Sequence, residues 1–229
     1  MWEHQLQDLS KTHRVIAVDL RGHGESTVTT DKVTMSMMAN DVHQLLDHLS
    51  IQDNVHLGGL SMGGYVAWEF WLQFRNRLKS LMLFDTRAVA DTDQVARARR
   101  MMAAQVVTAG ASMAAESMLP KLMSPHTAEK NPNLVRDVEA MILGTNPEAI
   151  ASTQRGMAER RDMTDRLAEI DLPTLVVCGE DDTISPPAEM RKIADSMPNA
   201  KFVEIPLAGH LAPLEQPVQV TQAIANFVV

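Results

Sequence analysis

The chain has 229 residues, 45% of them hydrophobic and 22% charged, with a formal net charge of -8 and a pI near 5.4. That length suits one large domain, or one domain carrying an insertion, with room for a sizeable core. The acidic balance and the absence of a long Lys/Arg cluster exclude an ordinary nucleic-acid binder, no run of about 18 apolar residues offers a membrane span, and a single cysteine, Cys178, excludes a disulfide framework.

Glu3, Asp8, Lys11 and Arg14 interrupt the first turns of the chain, so no signal-peptide core is seen there and a cytoplasmic location is expected. The first strand signal is Val15–Asp19, a β-branched run that ends in polar and glycine residues. A helix follows, with Met38, Val42, Leu45, Leu46 and Leu49 on one face. Val55–Leu60 reads as the second strand, and the helical pattern after it, through Phe74, is apolar nearly all round, as in a helix packed deep against a sheet. Leu78–Phe84 is the third strand.

Residues 89–165 then break the alternation of strands and helices. They carry helical patterns punctuated by Gly110, Pro120, Pro125, Pro132, Gly144 and Pro147, with Asn146-Pro147 as a helix start. This stretch is expected to be a helical cap inserted into a core made of residues 1–88 and 166–229. Its apolar positions 101, 102, 113, 118, 123, 141 and 157 are all methionine. They are expected to fill core, although flexible thioethers also suit an adaptable pocket roof. Arg97, Arg99 and Arg100 read as a solvated helix face.

Thr174–Cys178 is the fourth strand, and Cys178 within it reads as a buried, inert thiol. A helix opening at Pro186-Pro187 buries Met190, Ile193, Ala194 and Met197. Phe202–Ile205 is the fifth strand, and a last helix opens at Pro217 to bury Val220, Ile224 and Phe227. Short strands, apolar on both faces and separated by helices, imply an α/β fold: a mostly parallel sheet with helices on both faces.

One segment carries chemistry at once. Gly59-Leu60-Ser61-Met62-Gly63-Gly64 lies between a strand and a helix. Gly59 and Gly63 are expected to remove side chains that would clash where the strand reverses into the helix. The Ser61 hydroxyl then points out of the sheet, and the Met62 N–H sits where an oxyanion would form. A serine needs a base and a group that orients the base, and ligands bind at strand C-termini in open parallel sheets. His210, in Ala208-Gly209-His210 after the fifth strand, is the only histidine so placed. Asp182 and Asp181 follow the fourth strand and Asp85 the third; Asp182 is favoured as the acid, Asp85 is the alternative, and Asp181 and Glu180 read as turn residues. His43 and His48 are expected to be solvated, His56 to be a satisfied core histidine and His23, in Arg21-Gly22-His23-Gly24, to serve a tight turn; His4, His13 and His126 have no partner signal.

With Asp19-Leu20-Arg21-Gly22-His23-Gly24-Glu25-Ser26, the Ser61 run, Gly179-x-x-Asp182, and Ala208-Gly209-His210 followed by Glu215-Gln216-Pro217, four ordered motifs span almost the whole chain and resemble the α/β-hydrolase superfamily. Arg155-Gly156-Met157-Ala158-Glu159-Arg160, followed by Asp171-Leu172-Pro173-Thr174-Leu175, is similar to its 3-oxoadipate enol-lactonase and esterase branch. The resemblance implies a serine hydrolase with Ser61, Asp182 and His210 as its catalytic set. It implies a small-molecule ester or lactone as substrate, with neither cofactor nor metal. It disfavours a dehalogenase, which has aspartate at the Ser61 position. A lactonase acting on an anionic ring is the alternative and would use Arg155 or Arg160; perhydrolysis and carbon–carbon hydrolysis share the same serine set.

The family also has a strand and a His-Gly loop before the helix that here begins at Met1-Trp2-Glu3, and that loop donates a second oxyanion N–H. One of its early strands lies between those matching Val15–Asp19 and Val55–Leu60. By this resemblance the N-terminal strands and the loop are missing, so the sequence reads as a fragment. Either Val15–Asp19 slides across to pair with Val55–Leu60, or a slot remains. Such a chain is expected to be slow, by on the order of 10²–10³ for one lost oxyanion donor, or a truncated form with little activity.

Overall fold

The computed structural model describes residues 1–29 and 31–228. Four of the apolar runs form strands: β1 (Val55–Leu60), β2 (Leu78–Phe84), β3 (Thr174–Gly179) and β4 (Ala200–Ile205). They pair in parallel, in the order β1-β2-β3-β4. The helices, in chain order, are α1 (Glu3–Leu9), α2 (Met35–His48), α3 (Met62–Phe74), α4 (Asp93–Ala109), α5 (Ser112–Leu122), α6 (Pro125–Lys130), α7 (Pro132–Leu143), α8 (Pro147–Met157), α9 (Pro187–Asp195), α10 (Ala212–Glu215) and α11 (Pro217–Ala225).

Side-chain alternation in the central strands explains why they are apolar over Leu81–Phe84 and 175–178. Leu81, Leu83, Val176 and Cys178 face a core shared with α2, α3 and α9, where Phe70, Trp71, Met38 and Met190 are buried. Met82, Phe84, Leu175 and Val177 face the other way, onto Val220 and Ile224 of α11, with Trp2 and Leu9 against them. With a period of two, each face takes every second residue, so a strand covered on both sides has no polar position to spare. β2 runs on from α3 through a short 3-10 turn at Arg75–Arg77. Among the described residues no helix is long and apolar enough to cross a membrane.

Val15–Asp19 differs from expectation: it is not a strand. Ile16 and Val18 remain 39% and 38% exposed, and β1 pairs with β2 alone among the described residues. A β-branched run becomes a strand only where a ladder takes its N–H and C=O groups, and here it has none. Of the two arrangements foreseen, pairing of this run with β1 does not occur.

Between β2 and β3 the described residues form helices α4 to α8 and a 3-10 turn at Thr164–Glu169, without a strand. The helix starts are set by capping side chains. Thr92 and Asn131 accept the N–H groups of Val95 and Leu134, and Asn146 accepts that of Glu148 with Pro147 as the first helical residue. α4 and α8 pack through Ala103, Val106, Ile150 and Ala151, small enough for close approach. The methionines depart from the core role expected of them: of the seven only Met157 is buried, while Met101 and Met141 are exposed at 62% and 46%. They fall on the outer sides of α4 and α7, where the apolar stripe has already turned inward. Arg99 is likewise not simply solvated, since it pairs with the buried Asp91 carboxylate at 2.5 Å. His43 lies edge-on to Phe74 with ring centroids 4.0 Å apart, half-buried rather than solvated. His56 is satisfied by the Ser80 hydroxyl at 2.6 Å.

Candidate active site

Ser61 joins β1 to α3 with φ 51° and ψ -111°, a left-handed conformation that a non-glycine residue adopts only under constraint. The constraint is visible. The Ser61 N–H donates to the Phe84 carbonyl at 2.9 Å, and the Ser61 carbonyl accepts from the Thr86 hydroxyl at 2.8 Å. Both bonds run to the end of β2, so the turn is clamped between two strands. A Cβ on Gly59 would lie 2.1 Å from the Gly63 carbonyl oxygen, and one on Gly64 would lie 2.3 Å from the Thr86 hydroxyl. Gly63 corrects the sequence expectation: a Cβ there meets nothing within 4 Å. The backbone that needs room at this turn is that of residues 59 and 64. Met62 is the first residue of α3, so its N–H belongs to the helix-start donors that lack an intrahelical acceptor.

The other polar groups gather along the same rim. Asp85 follows β2, Asp182 follows β3 and His210 follows β4. The His210 Nδ1 and Asp182 Oδ2 are 2.8 Å apart, and both side chains are buried. Asp182 Oδ1 accepts the N–H groups of Ile184 at 2.7 Å and Ser185 at 3.1 Å. Burial alone would raise the Asp182 pKa; the His210 hydrogen bond and charge and the two backbone N–H groups outweigh it, so the carboxyl is held below its usual range. The β3 and β4 ends approach very closely: a Cβ on Gly179 would stand 2.0 Å from the Gly209 carbonyl oxygen. The structure thus brings Asp182 and His210 into contact, and places Ser61 at the end of β1, bonded to the end of β2.

In sequence Glu215 is part of a motif without an evident task. Its Oε1 accepts the N–H of Gly209 at 2.8 Å and of Leu211 at 3.3 Å, and its Oε2 accepts that of Ser124 at 2.8 Å. The carboxylate therefore holds the backbone on both sides of His210 and ties it to the segment between α5 and α6. Its position five residues beyond His210 is the one sequence signal that pointed there.

Asp85 is fully buried, with its Oδ1 accepting the Gly179 N–H at 2.8 Å. Burial first, and then the Asp182 charge, push its pKa well above the usual carboxylate range. Together with Cys178 and Asp182 it forms a group whose side-chain atoms lie within 4.8 Å of one another. As a metal site the group is poor. Burial and both carboxylates push the Cys178 thiol far up, away from the thiolate that binds metal, and the Asp182 oxygens already have three donors.

Arg155 donates to the Asp31 carbonyl at 2.6 Å. Arg160 is buried, paired with Asp91 at 2.8 Å, donating to the Val89 carbonyl and stacked 4.4 Å from the Tyr65 ring centroid. His23 is half-buried in its turn, and burial lowers its pKa.

Comparison with known proteins shows the family to which this fold belongs. The model of the alpha/beta hydrolase fold family matches residues 1–217. A 3-oxoadipate enol-lactonase from Acinetobacter baylyi is 29% identical over 228 residues, covering 100% of this chain and 83% of the relative. Among solved structures, a thermophilic esterase from Thermogutta terrifontis superposes with a TM-score of 0.98 at 45% identity, covering 99% of this chain and 84% of that one. The enol-lactonase of Burkholderia xenovorans gives a TM-score of 0.90 at 28% identity, covering 99% and 85%. The chain belongs to the alpha/beta hydrolase fold family.

Proposed function

We propose that this protein is a carboxylic ester hydrolase working by two-step acyl transfer, with Ser61 as nucleophile, His210 as base and Asp182 as the group that orients it. The observation that carries the reading is the buried 2.8 Å contact between His210 Nδ1 and Asp182 Oδ2, on the rim where the strained Ser61 turn ends β1. Ser61 Oγ attacks the ester carbonyl carbon and its proton passes to His210 Nε2. Asp182 fixes the Nδ1–H tautomer and stabilises the imidazolium. The Met62 N–H, at the positive end of α3, stabilises the oxyanion. Collapse of the tetrahedral intermediate expels the alcohol, which takes the proton from His210. Water, deprotonated by His210, then attacks the acyl-enzyme; the second collapse releases the acid and returns the proton to Ser61.

Helices α4 to α8, within residues 89–165, act as a cap over this rim. Leu122, Met118, Met123 and Val138 form one apolar cluster with Leu60, Ile184 and Leu211. Those last three neighbour Ser61 directly, Asp182 at two residues and His210 directly, so the cap presents an apolar wall at the site. An apolar acyl or alcohol group fits such a wall. Lactones are cyclic esters and open by the same steps. The two arginines considered for an anionic ring are engaged with Asp31, Asp91 and Val89, which favours a neutral ester. The lone buried Cys178 fits a reducing, cytoplasmic setting.

The test is hydrolysis of a short-chain aryl ester by the wild type and by Ser61→Ala. Loss of activity by several orders of magnitude in a folded variant is expected; equal rates would end the nucleophile assignment. Comparing an anionic enol-lactone with a neutral ester separates the two substrate classes.

A further inference from the structure

We infer that Asp85 is a positioning residue that keeps its proton at working pH and donates a hydrogen bond to the Asp182 carboxylate, fixing and moderating the group that orients His210. The inference rests on the proposed catalytic set.

The geometry requires a retained proton. Asp85, Cys178 and Asp182 are all buried, and their side-chain ligand atoms lie within 4.8 Å of one another. Two ionised carboxylates that close in a buried site repel, and neither has a donor to offer the other, so one of the two keeps a proton. The partners decide which. Asp182 accepts from three donors: the N–H groups of Ile184 and Ser185, and His210 Nδ1. Asp85 accepts the Gly179 N–H on Oδ1, while its buried Oδ2 has no hydrogen-bond partner. Three donors stabilise charge on Asp182, and the proton belongs on Asp85 Oδ2.

Among the described residues, no unpaired cation is seen around Asp85. From β3, the Cys178 thiol is directed at the carbonyls of Ser185 at 3.2 Å and Gly179 at 3.4 Å. The Ser185 hydroxyl donates to the Asp85 carbonyl at 3.1 Å. From α9, the Met190 sulfur accepts the neighbouring Thr86 N–H, and Glu189 is paired with Arg87 at 2.8 Å. His210 pairs with Asp182 Oδ2 at 2.8 Å. The backbone is set for this role too. Asp85 has φ 45°, a region that Asp and Asn tolerate better than most residues, and its N–H donates to the Val177 carbonyl at 3.0 Å.

The consequence is electronic as well as geometric. A donor on Asp182 spreads its negative charge and lowers the pull on the imidazolium. Asp85→Asn retains the arrangement, because the amide oxygen accepts from Gly179 and the amide N–H donates to Asp182. Asp85→Ala removes the donor. The acid limb of kcat/KM, which reports the base in the free enzyme, is expected to move up by about one pH unit in Asp85→Ala and to stay at the wild-type position in Asp85→Asn. A packing role alone would lower activity or stability in Asp85→Ala without moving the limb, and that result overturns the proposal. A second measurement stands even where Asp85→Ala does not fold. Infrared difference spectra of the wild type at neutral pH should show a protonated-carboxyl C=O band that Asp85→Asn lacks. An identical spectrum in the two proteins overturns the proposal. Ser61→Ala should keep that band while losing hydrolysis, so failure of the catalytic set and failure of the Asp85 role read out separately.

Discussion

Two alanine substitutions in the Ser61 turn, differing by four positions, should give opposite results. In Gly59→Ala the new Cβ lies 2.1 Å from the Gly63 carbonyl oxygen and 2.8 Å from the Gly64 nitrogen. A real Cβ contact is essentially never under 3.0 Å, so the turn must open by about 0.9 Å. The obstructing atoms are backbone, held by the bonds from Ser61 to Phe84 and Thr86, so no side chain can swing aside. Overpacking of this kind costs about 1–3 kcal/mol. A nucleophile displaced by about an ångström loses on the order of 10²-fold in rate. Gly63→Ala adds the same methyl in the first turn of α3 but meets nothing within 4 Å; alanine there should gain about 0.5–1 kcal/mol as the better helix former. Thermal unfolding of both variants, with kcat/KM on a short aryl ester for Gly59→Ala, makes the comparison. A Gly59→Ala protein as active as wild type, or a Gly63→Ala protein unfolding well below it, refutes the steric account of the turn.

That pair marks how far the sequence reaches. The glycine-rich run around Ser61 was legible because strand–turn–helix punctuation is local, and the same holds for His210, whose loop follows a recognisable strand. β2 and β3 were legible because burial on both faces leaves continuous apolar runs. Which glycine the turn needs was not legible, since it depends on where the Gly63 carbonyl points after the chain reverses. Val15–Asp19 has the same local signature as the true strands. What it lacks is a partner, and ladder pairing is not written in a single segment. The seven methionines fit a core by residue type, yet the facing of α4 and α7 puts Met101 and Met141 in solvent. Asp85 and Asp182 were competing acids on paper, each one loop past a strand. The parallel register that sets Phe84 against Val177 brings residue 85 beside Cys178 and Gly179, and so turns competitors into neighbours. Arg160 shows the same limit: named in sequence as a cation for an anionic ring, it is buried by tertiary packing against Tyr65 and Asp91.

The remaining expectations concern the groups that hold the site and the fold. Asp91→Ala leaves the Arg160 guanidinium buried and unpaired, and should cost about 3–5 kcal/mol in urea unfolding; Arg160→Met with Asp91→Leu should recover most of it. Glu215→Ala removes the acceptor for the N–H groups of Gly209, Leu211 and Ser124, and should lower kcat by on the order of 10²-fold through misplacement of His210, a loss that Glu215→Gln restores in part. The pH dependence of stability should separate the two buried acids. Asp182 has a depressed folded pKa, so its contribution is present above the unfolded value of about 3.9 and is lost as pH falls through the folded value. Asp85 has a raised folded pKa, so its contribution is complete below about 3.9 and is lost as pH rises toward the folded value. The two windows lie on opposite sides of the unfolded pKa. Asp85→Asn removes only the second, so its stability relative to wild type should be flat in strong acid and then grow with pH by about 1.4 kcal/mol per unit. Urea unfolding of both proteins from about pH 4 to about pH 8 measures that difference; one that stays constant across the range means that Asp85 ionises in the folded protein much as it does in the unfolded chain.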